Sequence, residues 1–298
     1  MGSSRLECFF RSIADKWKYL GLWLLPKNAL SRLMGRFAEL RKPALLVEWQ
    51  IGVFCKLFAV NLNECAQPIE SYGSLQDFFT RRLKPGARTI DKSEHSLTAP
   101  CDGFWGSSGI ATQGQAVQIK GKHYHLANLL GLNSNDTFLE KSTYATFYLS
   151  PKDYHRFHSP IDGHIVSMTY IPGFLWPVNS WAVNNVENLF CVNERVVMAI
   201  RPLADPSHLM YLVAVGATMV GKIHVEFGRD PLNKPQGYLH REYGHDEYFF
   251  AQGQELGRFM FGSTLVLVAN SSRALIQCEA MGKVLTLGEC IGRTTYDG

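Results

Sequence analysis

The chain has 298 residues, which allows one or two domains and a sizeable buried core. Its 46% hydrophobic and 19% charged residues are typical of an ordinary folded protein and exclude a disordered tail or a fibre. The formal net charge of +4 is too small to indicate a nucleic-acid partner, and no nucleic-acid-binding motif is found.

The positive charge is concentrated at the N-terminus. Residues 1–60 carry ten Lys or Arg and four Asp or Glu, a net +6, so the rest of the chain is weakly acidic. Apolar residues recur at helical spacing over 6–24 and again over 30–40, with basic residues between them. Basic amphipathic helices of this kind suit the headgroup region of an anionic membrane, but helices packed on the protein's own core have the same period.

The seven cysteines are scattered and form no Cys-x-x-Cys pair. We therefore expect neither a disulfide framework nor a zinc site, and a reducing compartment. No apolar run is long enough to predict a membrane-spanning helix, and the N-terminus lacks the features of a secretion signal. These features predict a soluble or peripheral intracellular protein.

From about residue 68 the pattern changes to short β-type runs between Gly, Pro, Asp and Asn. We predict an α+β, mostly β fold, with a helical membrane-associating segment over 1–67 and a β-rich catalytic domain over 68–298. Segments 99–103 and 159–163 both read small-Pro-x-Asp-Gly ahead of a predicted strand, which is compatible with an internal duplication and also with chance. The predicted strands are 143–149, 164–171, 195–201, 210–218, 220–227, 263–269, 274–279 and 284–287.

Three segments carry residues able to do chemistry. Asp102 lies in a Pro-x-Asp-Gly turn, His155 and His158 are three residues apart, and Ser263 follows Gly262 ahead of an apolar run. An acid, a histidine and a serine can form a nucleophile–base–orienter set. Each segment also has a purely structural interpretation. The aspartate segment can be only a turn, the histidines a pair of buried core residues, and the Gly-Ser step a turn before a core strand. The serine is not in a Gly-x-Ser-x-Gly context, which disfavours a common hydrolase, and the histidines lack a second ligand pair, so no metal is predicted.

These segments resemble the phosphatidylserine decarboxylase family. Gly262-Ser263-Thr264, preceded by 253–259, is similar to the family's self-processing site. Segment 148–160 is similar to its histidine motif, and segment 100–103 to its aspartate motif. The resemblance covers about residues 20–290, in the family's order, with further blocks at 74–83, 121–124, 170–173, 188–195 and 215–221.

The resemblance implies self-cleavage of the bond between Gly262 and Ser263. The products are a β chain of residues 1–262 and an α chain of residues 263–298, and Ser263 becomes a covalent pyruvoyl cofactor. The implied activity converts phosphatidylserine into phosphatidylethanolamine and CO2 through a Schiff base to that pyruvoyl group, in phospholipid biosynthesis.

The resemblance also assigns roles to the catalytic candidates. His158 is the base that takes the proton of Ser263, and Asp102 orients its imidazole and stabilises the charged form. His155 is assigned to decarboxylation or to the reprotonation that follows, because a histidine near neutral pH can donate or accept a proton.

The implied partners are phosphatidylserine in an anionic membrane and the chain's own α and β chains, with a homodimer left open and no nucleic acid. The implied location is peripheral, on the cytoplasmic face of the inner membrane. Three alternatives stay open: a pyruvoyl-dependent decarboxylase of a soluble amino acid, an unprocessed lipid-binding relative, and a serine hydrolase that keeps Ser263 as an alcohol.

Overall fold

The computed structural model describes residue 33 and residues 35–295, apart from gaps at 120–121, 134–135, 137–138, 140, 218–222, 229–236, 245, 261–262 and 278–281. The predicted helix over 6–24 lies outside the described residues, as does part of the one over 30–40, where residues 33 and 35–38 are helical. Within the described part of the chain, no helix has the length and apolar character needed to cross a membrane.

The first complete helix, α1 (Ala44–Phe58), has one buried and one exposed apolar face. Val47 and Ile51 are buried in a small cluster with Phe78. Residues spaced by four share one side of a helix, so a second apolar row is formed by Leu45, Trp49, Val53 and Leu57, which are 79%, 61%, 43% and 73% exposed. We call these four residues the exposed stripe of α1.

The other helices are short. Two 3-10 helices cover Leu62–Glu64 and Ile69–Ser71. The remaining α-helices are α2 (Leu75–Phe79), α3 (Leu126–Leu130), α4 (Ser180–Asn185) and α5 (Leu189–Val192).

Seventeen strands are found in the described residues. They are β1 (Ser96–Thr98), β2 (Gly103–Ile110), β3 (Gln115–Ile119), β4 (Lys122–His125), β5 (Ser142–Leu149), β6 (Arg156–His158), β7 (Gly163–Ile171), β8 (Arg195–Pro202), β9 (Met210–Gly216), β10 (Ile223–Val225), β11 (Leu239–Glu242), β12 (Phe249–Phe250), β13 (Glu255–Phe259), β14 (Ser263–Asn270), β15 (Ala274–Ile276), β16 (Val284–Leu285) and β17 (Cys290–Thr294). The mostly β prediction is confirmed.

A nine-stranded antiparallel sheet forms the centre of the molecule. Its order is β11-β7-β8-β9-β14-β5-β2-β16, with β12 also paired to β7. In β14, Leu265 and Leu267 enter the hydrophobic cluster on one face, while Val266 and Val268 enter the cluster on the other. Side chains of a strand alternate between the two faces of the sheet, so a strand with both faces buried has a continuous run of apolar residues in the sequence.

The predicted strands are found with differences in length. The runs at 143–149, 164–171, 195–201, 210–218 and 263–269 coincide with β5, β7, β8, β9 and β14, five of the six longest strands in the described residues; the sixth, β2, is not among the predicted strands. The other three runs contain only the shorter strands β10, β15 and β16. After β16 the chain turns at Gly288, whose φ of +90° is incompatible with an extended strand.

The two Pro-x-Asp-Gly segments lie against each other and exchange backbone hydrogen bonds. His158 N donates to Pro100 O over 2.8 Å, and Thr98 N donates to Pro160 O over 3.1 Å. The glycines that end the two segments begin β2 and β7. This reciprocal pairing joins the predicted aspartate and histidine motifs.

Each segment also contacts an equivalent turn. The Oδ1 atom of Asp102 accepts a hydrogen bond from Leu287 N over 2.8 Å, and that of Asp162 accepts one from Gln252 N over 2.7 Å. Each of these two donors is followed by a glycine with positive φ. Gly288 N donates to Ala99 O, and Gly253 N donates to Ser159 O. Matched contacts of this kind are what an internal duplication predicts.

Candidate active site

Ser263 is the first residue of β14 and is fully buried. Its neighbours across the sheet are Leu149, the last residue of β5, and Gly216, the last residue of β9. Because β5 ends opposite Ser263, the turn that follows β5 passes next to the serine.

That turn brings His155 to Ser263. Asp153 closes it, since its Oδ2 accepts from Ser150 N over 2.7 Å and its own N–H donates to Ser150 O over 2.9 Å. His155 Nε2 lies 3.0 Å from the same Ser150 carbonyl, and a carbonyl oxygen can only accept, so Nε2 carries the proton. His155 Nδ1 therefore presents a lone pair, 3.5 Å from the hydroxyl oxygen of Ser263.

The surroundings of His155 keep its ring neutral. The side chain is fully buried and stacks on Phe79, with ring centroids 3.9 Å apart. Burial, followed by the nearby positive charge of Arg81, lowers the pKa of His155 to about 3. At neutral pH the imidazole is therefore uncharged.

His158, at the end of β6, is held by a backbone carbonyl. Its Nδ1 donates to Gly253 O over 2.9 Å, so Nε2 carries the lone pair; this Nε2 is buried and has no hydrogen-bond partner among the described residues. Burial lowers the pKa of His158. Gly253 has a φ of +82°, and a Cβ there would lie 2.6 Å from the Ile90 side chain, so this carbonyl is presented by a turn that requires glycine.

Asp102 is buried and paired with an arginine. Arg88 donates to it from Nε (2.8 Å) and Nη2 (2.5 Å), and Arg88 Nη2 also donates to Glu64 over 2.9 Å. These bonds raise the pKa of Arg88. In the described structure Asp102 makes no hydrogen bond to His158 or Ser263; the charge of Glu255, and to a smaller extent that of Asp102, favours the protonated imidazole of His158.

Of the four predicted residues, the structure brings only Ser263 and His155 into hydrogen-bonding contact. Sequence reasoning missed Arg88, the carbonyl of Gly253 and the N–H of Leu287. The last two are backbone groups 95 and 185 residues from their partners, so no local spacing could have indicated them. Arg88 is 14 residues before Asp102, and nothing in the residues between them points to the pair.

The residues around Ser263 fit a small carbonyl group at its position. The site is buried, and one neutral imidazole nitrogen already faces the serine oxygen. A second imidazole nitrogen of the same motif, His158 Nε2, is buried and has no partner in the part of the chain that the structure describes. Among the described residues, no group of three or more His, Cys, Asp or Glu side chains is arranged to hold a metal ion.

Comparisons with known proteins agree on one family. The family model described as Phosphatidylserine decarboxylase matches residues 75–293, and a second one, described as PSD, matches residues 18–59. A "Phosphatidylserine decarboxylase proenzyme" of Marinobacter nauticus is 39% identical over 94% of this chain and 98% of its own length. Proteins of the same name from Anaeromyxobacter sp. and Myxococcus xanthus are 36% and 38% identical, over 93% and 91% of this chain and 98% and 96% of their own lengths. The chain therefore belongs to the phosphatidylserine decarboxylase family.

Proposed function

We propose that the protein is a proenzyme that cleaves itself between Gly262 and Ser263 and then converts phosphatidylserine into phosphatidylethanolamine and CO2. One observation carries the proposal: the hydroxyl of the serine at the expected cleavage bond is buried, 3.5 Å from a neutral histidine nitrogen. The relatives' names, which describe proenzymes of a phosphatidylserine decarboxylase, support the same activity.

Self-cleavage begins at the serine hydroxyl. Ser263 Oγ attacks the carbonyl carbon of Gly262, its proton passes to a base, and the acyl group moves from nitrogen to oxygen. We assign the base to His158, as the family resemblance implies, and its neutral, buried Nε2 without a partner among the described residues supports this, although the nitrogen that faces Ser263 Oγ in the structure is His155 Nδ1. Asp102 helps to stabilise the resulting imidazolium through its charge, beside the larger effect of Glu255, rather than through a hydrogen bond.

The ester then breaks by elimination, which leaves a carboxylate on Gly262. Addition of water and loss of ammonia complete the pyruvoyl group at residue 263. When formed, that group withdraws electrons from the bond to the departing carboxylate of the substrate. His155 Nδ1 faces residue 263 and is the atom that accepts or returns the proton during turnover.

The first test is the intact mass of the purified protein under denaturing conditions. We expect two fragments split after Gly262, the smaller one lighter than a serine-started peptide by one ammonia, and Ser263→Ala to stay in one piece. His158→Ala is expected to slow cleavage at least 100-fold, whereas His155→Ala is expected to cleave and then turn over slowly.

The competing functions give different results in the same preparation. An uncut wild-type chain would favour a lipid-binding relative. Labelling of the protein by a fluorophosphonate would favour a serine hydrolase. Activity on a water-soluble amino acid but not on phosphatidylserine vesicles would indicate the other decarboxylase. Loss of cleavage in His155→Ala with normal cleavage in His158→Ala would exchange the two histidine roles.

We further propose that the protein acts as a peripheral protein on an anionic membrane, at the cytoplasmic face of the inner membrane. The exposed stripe of α1 supports this, together with the partly exposed Phe37 and Leu40 in the segment before it. Basic residues lie in the same region: Arg36, Arg41, Lys42 and Lys56. Apolar side chains inserted shallowly, with cations attracted to the headgroups, would hold the protein at the surface.

Sedimentation with vesicles of anionic phospholipid tests this contact. Leu57→Glu, in the exposed stripe, is expected to weaken binding several-fold at low salt. Leu275→Glu is the matched control, since Leu275 is 58% exposed on β15, outside the N-terminal segment. Equal binding by the two variants would reject the stripe as the membrane contact.

A further inference from the structure

Residues 253–255, at the start of the segment that resembles the family's self-processing site, lie against His158. The carbonyl of Gly253 accepts a hydrogen bond from His158 Nδ1 over 2.9 Å and so fixes the position of the imidazole. Glu255 lies directly opposite His158 in the antiparallel pairing of β13 with β6. A carboxylate is therefore the charged group that this segment brings to the candidate base.

An arginine of the histidine motif pairs with this carboxylate. Arg156 and His158 are two residues apart on β6, so their side chains lie on the same face of the strand. Arg156 Nη1 donates to Glu255 Oε1 over 2.6 Å, and the two side chains are only 8% and 19% exposed. A mostly buried ion pair therefore lies beside His158.

Arg156 also contacts the surroundings of the other histidine. Its Nε and Nη2 donate to Thr80 O over 2.9 and 2.7 Å, so each of its side-chain nitrogens has an acceptor. Thr80 follows Phe79, the last residue of α2, whose ring stacks on His155. The arginine thus joins the end of α2 to β13.

The two charges of the pair act on His158 in opposite directions. Burial lowers the pKa of this histidine, and the hydrogen bond to Gly253 O is the first of the effects that raise it again. Among the charges, Glu255 has the largest effect and raises the pKa, followed by Arg156, which lowers it, and Asp102, which raises it. The pair as a whole therefore favours the imidazolium that forms when His158 takes a proton.

The charged and titratable side chains around His158 come from several elements of the fold. They are Asp102 with its partner Arg88, Tyr154, Arg156, and Glu255 with the more distant Arg258. Tyr154 is neutral at neutral pH, since burial raises its pKa to about 12. Arg258 lies 3.9 Å from Glu255 and is bonded to Glu226 over 2.5 Å. Arg156 is therefore the nearer cation that balances Glu255, and the two charges can be changed separately.

We propose that Glu255 is a positioning residue for self-cleavage, which stabilises the protonated state of His158, and that Arg156 limits this effect. The inference rests on the proposed function, because it concerns the base of the self-cleavage step. A buried imidazole that takes up a proton needs a negative charge nearby, since water does not solvate it. A base must also be neutral before the reaction, and Arg156 opposes its premature protonation.

An ion pair that only joins α2 to β13 is the alternative. In that case the loss of either partner would weaken the same contact, so the two losses would have the same consequence. Charges that act on His158 have opposite consequences, because Glu255 makes the imidazole more basic and Arg156 makes it less basic.

The test is the pH dependence of self-cleavage. The chain is made in a short cell-free synthesis and transferred to buffers between about pH 8 and about pH 4, and the two fragments are followed by mass. Cleavage requires neutral His158, so its rate falls as the pH drops through the pKa of this histidine. Intrinsic fluorescence at each pH establishes that the chain is still folded.

Glu255→Gln removes the favourable charge and leaves that of Arg156. We expect the midpoint of the acid decline to move to lower pH, and the rate at about pH 8 to fall about 100-fold, because a less basic nitrogen takes the serine proton less readily. Arg156→Gln is expected to move the midpoint to higher pH without slowing cleavage at about pH 8. The double variant should return the midpoint toward that of wild type.

Two controls accompany these variants. Glu226→Gln removes a carboxylate of the same kind, the partner of Arg258 next to β10, and is expected to cleave as wild type does. Glu255→Asp keeps the charge beside His158 and is expected to restore most of the rate that Glu255→Gln loses. Thermal midpoints of all variants are measured in the same preparations.

The outcomes separate the two proposals. An uncut wild-type chain overturns the proposed function itself. If the wild type cleaves and Glu255→Gln has the same midpoint, or if the midpoints of Glu255→Gln and Arg156→Gln move in the same direction, only the role of Glu255 is overturned. If Arg156→Gln does not fold, Glu255→Asp decides the question, since a midpoint as low as that of Glu255→Gln would show that the charge is not responsible.

Discussion

The two Pro-x-Asp-Gly turns have the same backbone contacts and different side-chain environments. Each aspartate accepts a backbone N–H ahead of a glycine with positive φ. Asp102 is buried and bonded to Arg88, whereas Asp162 is exposed. The backbone bonds therefore build the turn in both places, and Asp102, unlike Asp162, is a buried carboxylate whose charge, together with the larger effect of Glu255, favours protonated His158.

The largest expected effect comes from neutralising the two aspartates separately. Asp102→Asn keeps the shape of the turn but removes one of the carboxylate charges that favour protonated His158, beside the larger one of Glu255, and leaves the charge of Arg88 without this partner, so we expect self-cleavage to slow about 100-fold. Asp162→Asn, the matched control, should change the rate less than twofold. The measurement is the rate at which the two fragments appear after synthesis of the chain in a cell-free system.

Thermal midpoints of both variants are needed beside the rates. If Asp162→Asn slows cleavage as much as Asp102→Asn does, the integrity of the paired turns controls the reaction and the charge of Asp102 does not. A slow Asp102→Asn with a normal thermal midpoint supports the electrostatic role, because a structural loss would lower both.

A smaller effect is expected from the two glycines that serve these turns. The nearest atoms that a Cβ on Gly253 would meet all belong to the Ile90 side chain, the first at 2.6 Å, whereas a Cβ on Gly288 would also meet the backbone oxygen of Thr89 at 2.6 Å. Alanine at either position adds about 1–2 kcal/mol of backbone strain. We expect Gly288→Ala to lower the free energy of unfolding by about 1–3 kcal/mol more than Gly253→Ala does.

A double-mutant cycle with Ile90→Ala sharpens that comparison. Shortening Ile90 should relieve most of the clash in Gly253→Ala and only part of it in Gly288→Ala, so the coupling free energy should be larger for the first pair. Urea unfolding of the uncleaved Ser263→Ala chain provides the values. Equal coupling free energies in the two cycles would show that the backbone at Thr89 shifts and removes its contact with the new Cβ of residue 288.

The sequence predicts the strands of this fold better than the contacts of the site. The apolar run 263–269 predicts β14 because both faces of the strand are buried. The roles of Asp102, His155, His158 and Ser263 rest on motif resemblance and stay predictions. Their partners could not be read from spacing, because Arg88, the Gly253 carbonyl and the Leu287 N–H are brought to the site by tertiary folding of separate segments.

Acid pH gives the smallest effect, and it acts through the buried histidines, which precede the second turn in the chain. An unfolded histidine takes up a proton near pH 6.5, whereas the pKa of His155 in the fold is lowered to about 3. Between these values the unfolded chain binds more protons than the native one, so stability is complete above about pH 6.5 and falls as the pH drops below it.

Replacing His155 removes one such group. In the uncleaved Ser263→Ala chain we expect His155→Gln to lose stability less steeply on acidification, by up to about 1.4 kcal/mol per pH unit, with the lowered pKa of His158 accounting for part of the remaining slope. Urea unfolding at about pH 7, 6 and 5 measures both slopes. Parallel slopes would mean that His155 takes up a proton in the folded protein, and the neutral imidazole required at Ser263 would then not persist below about pH 6.5.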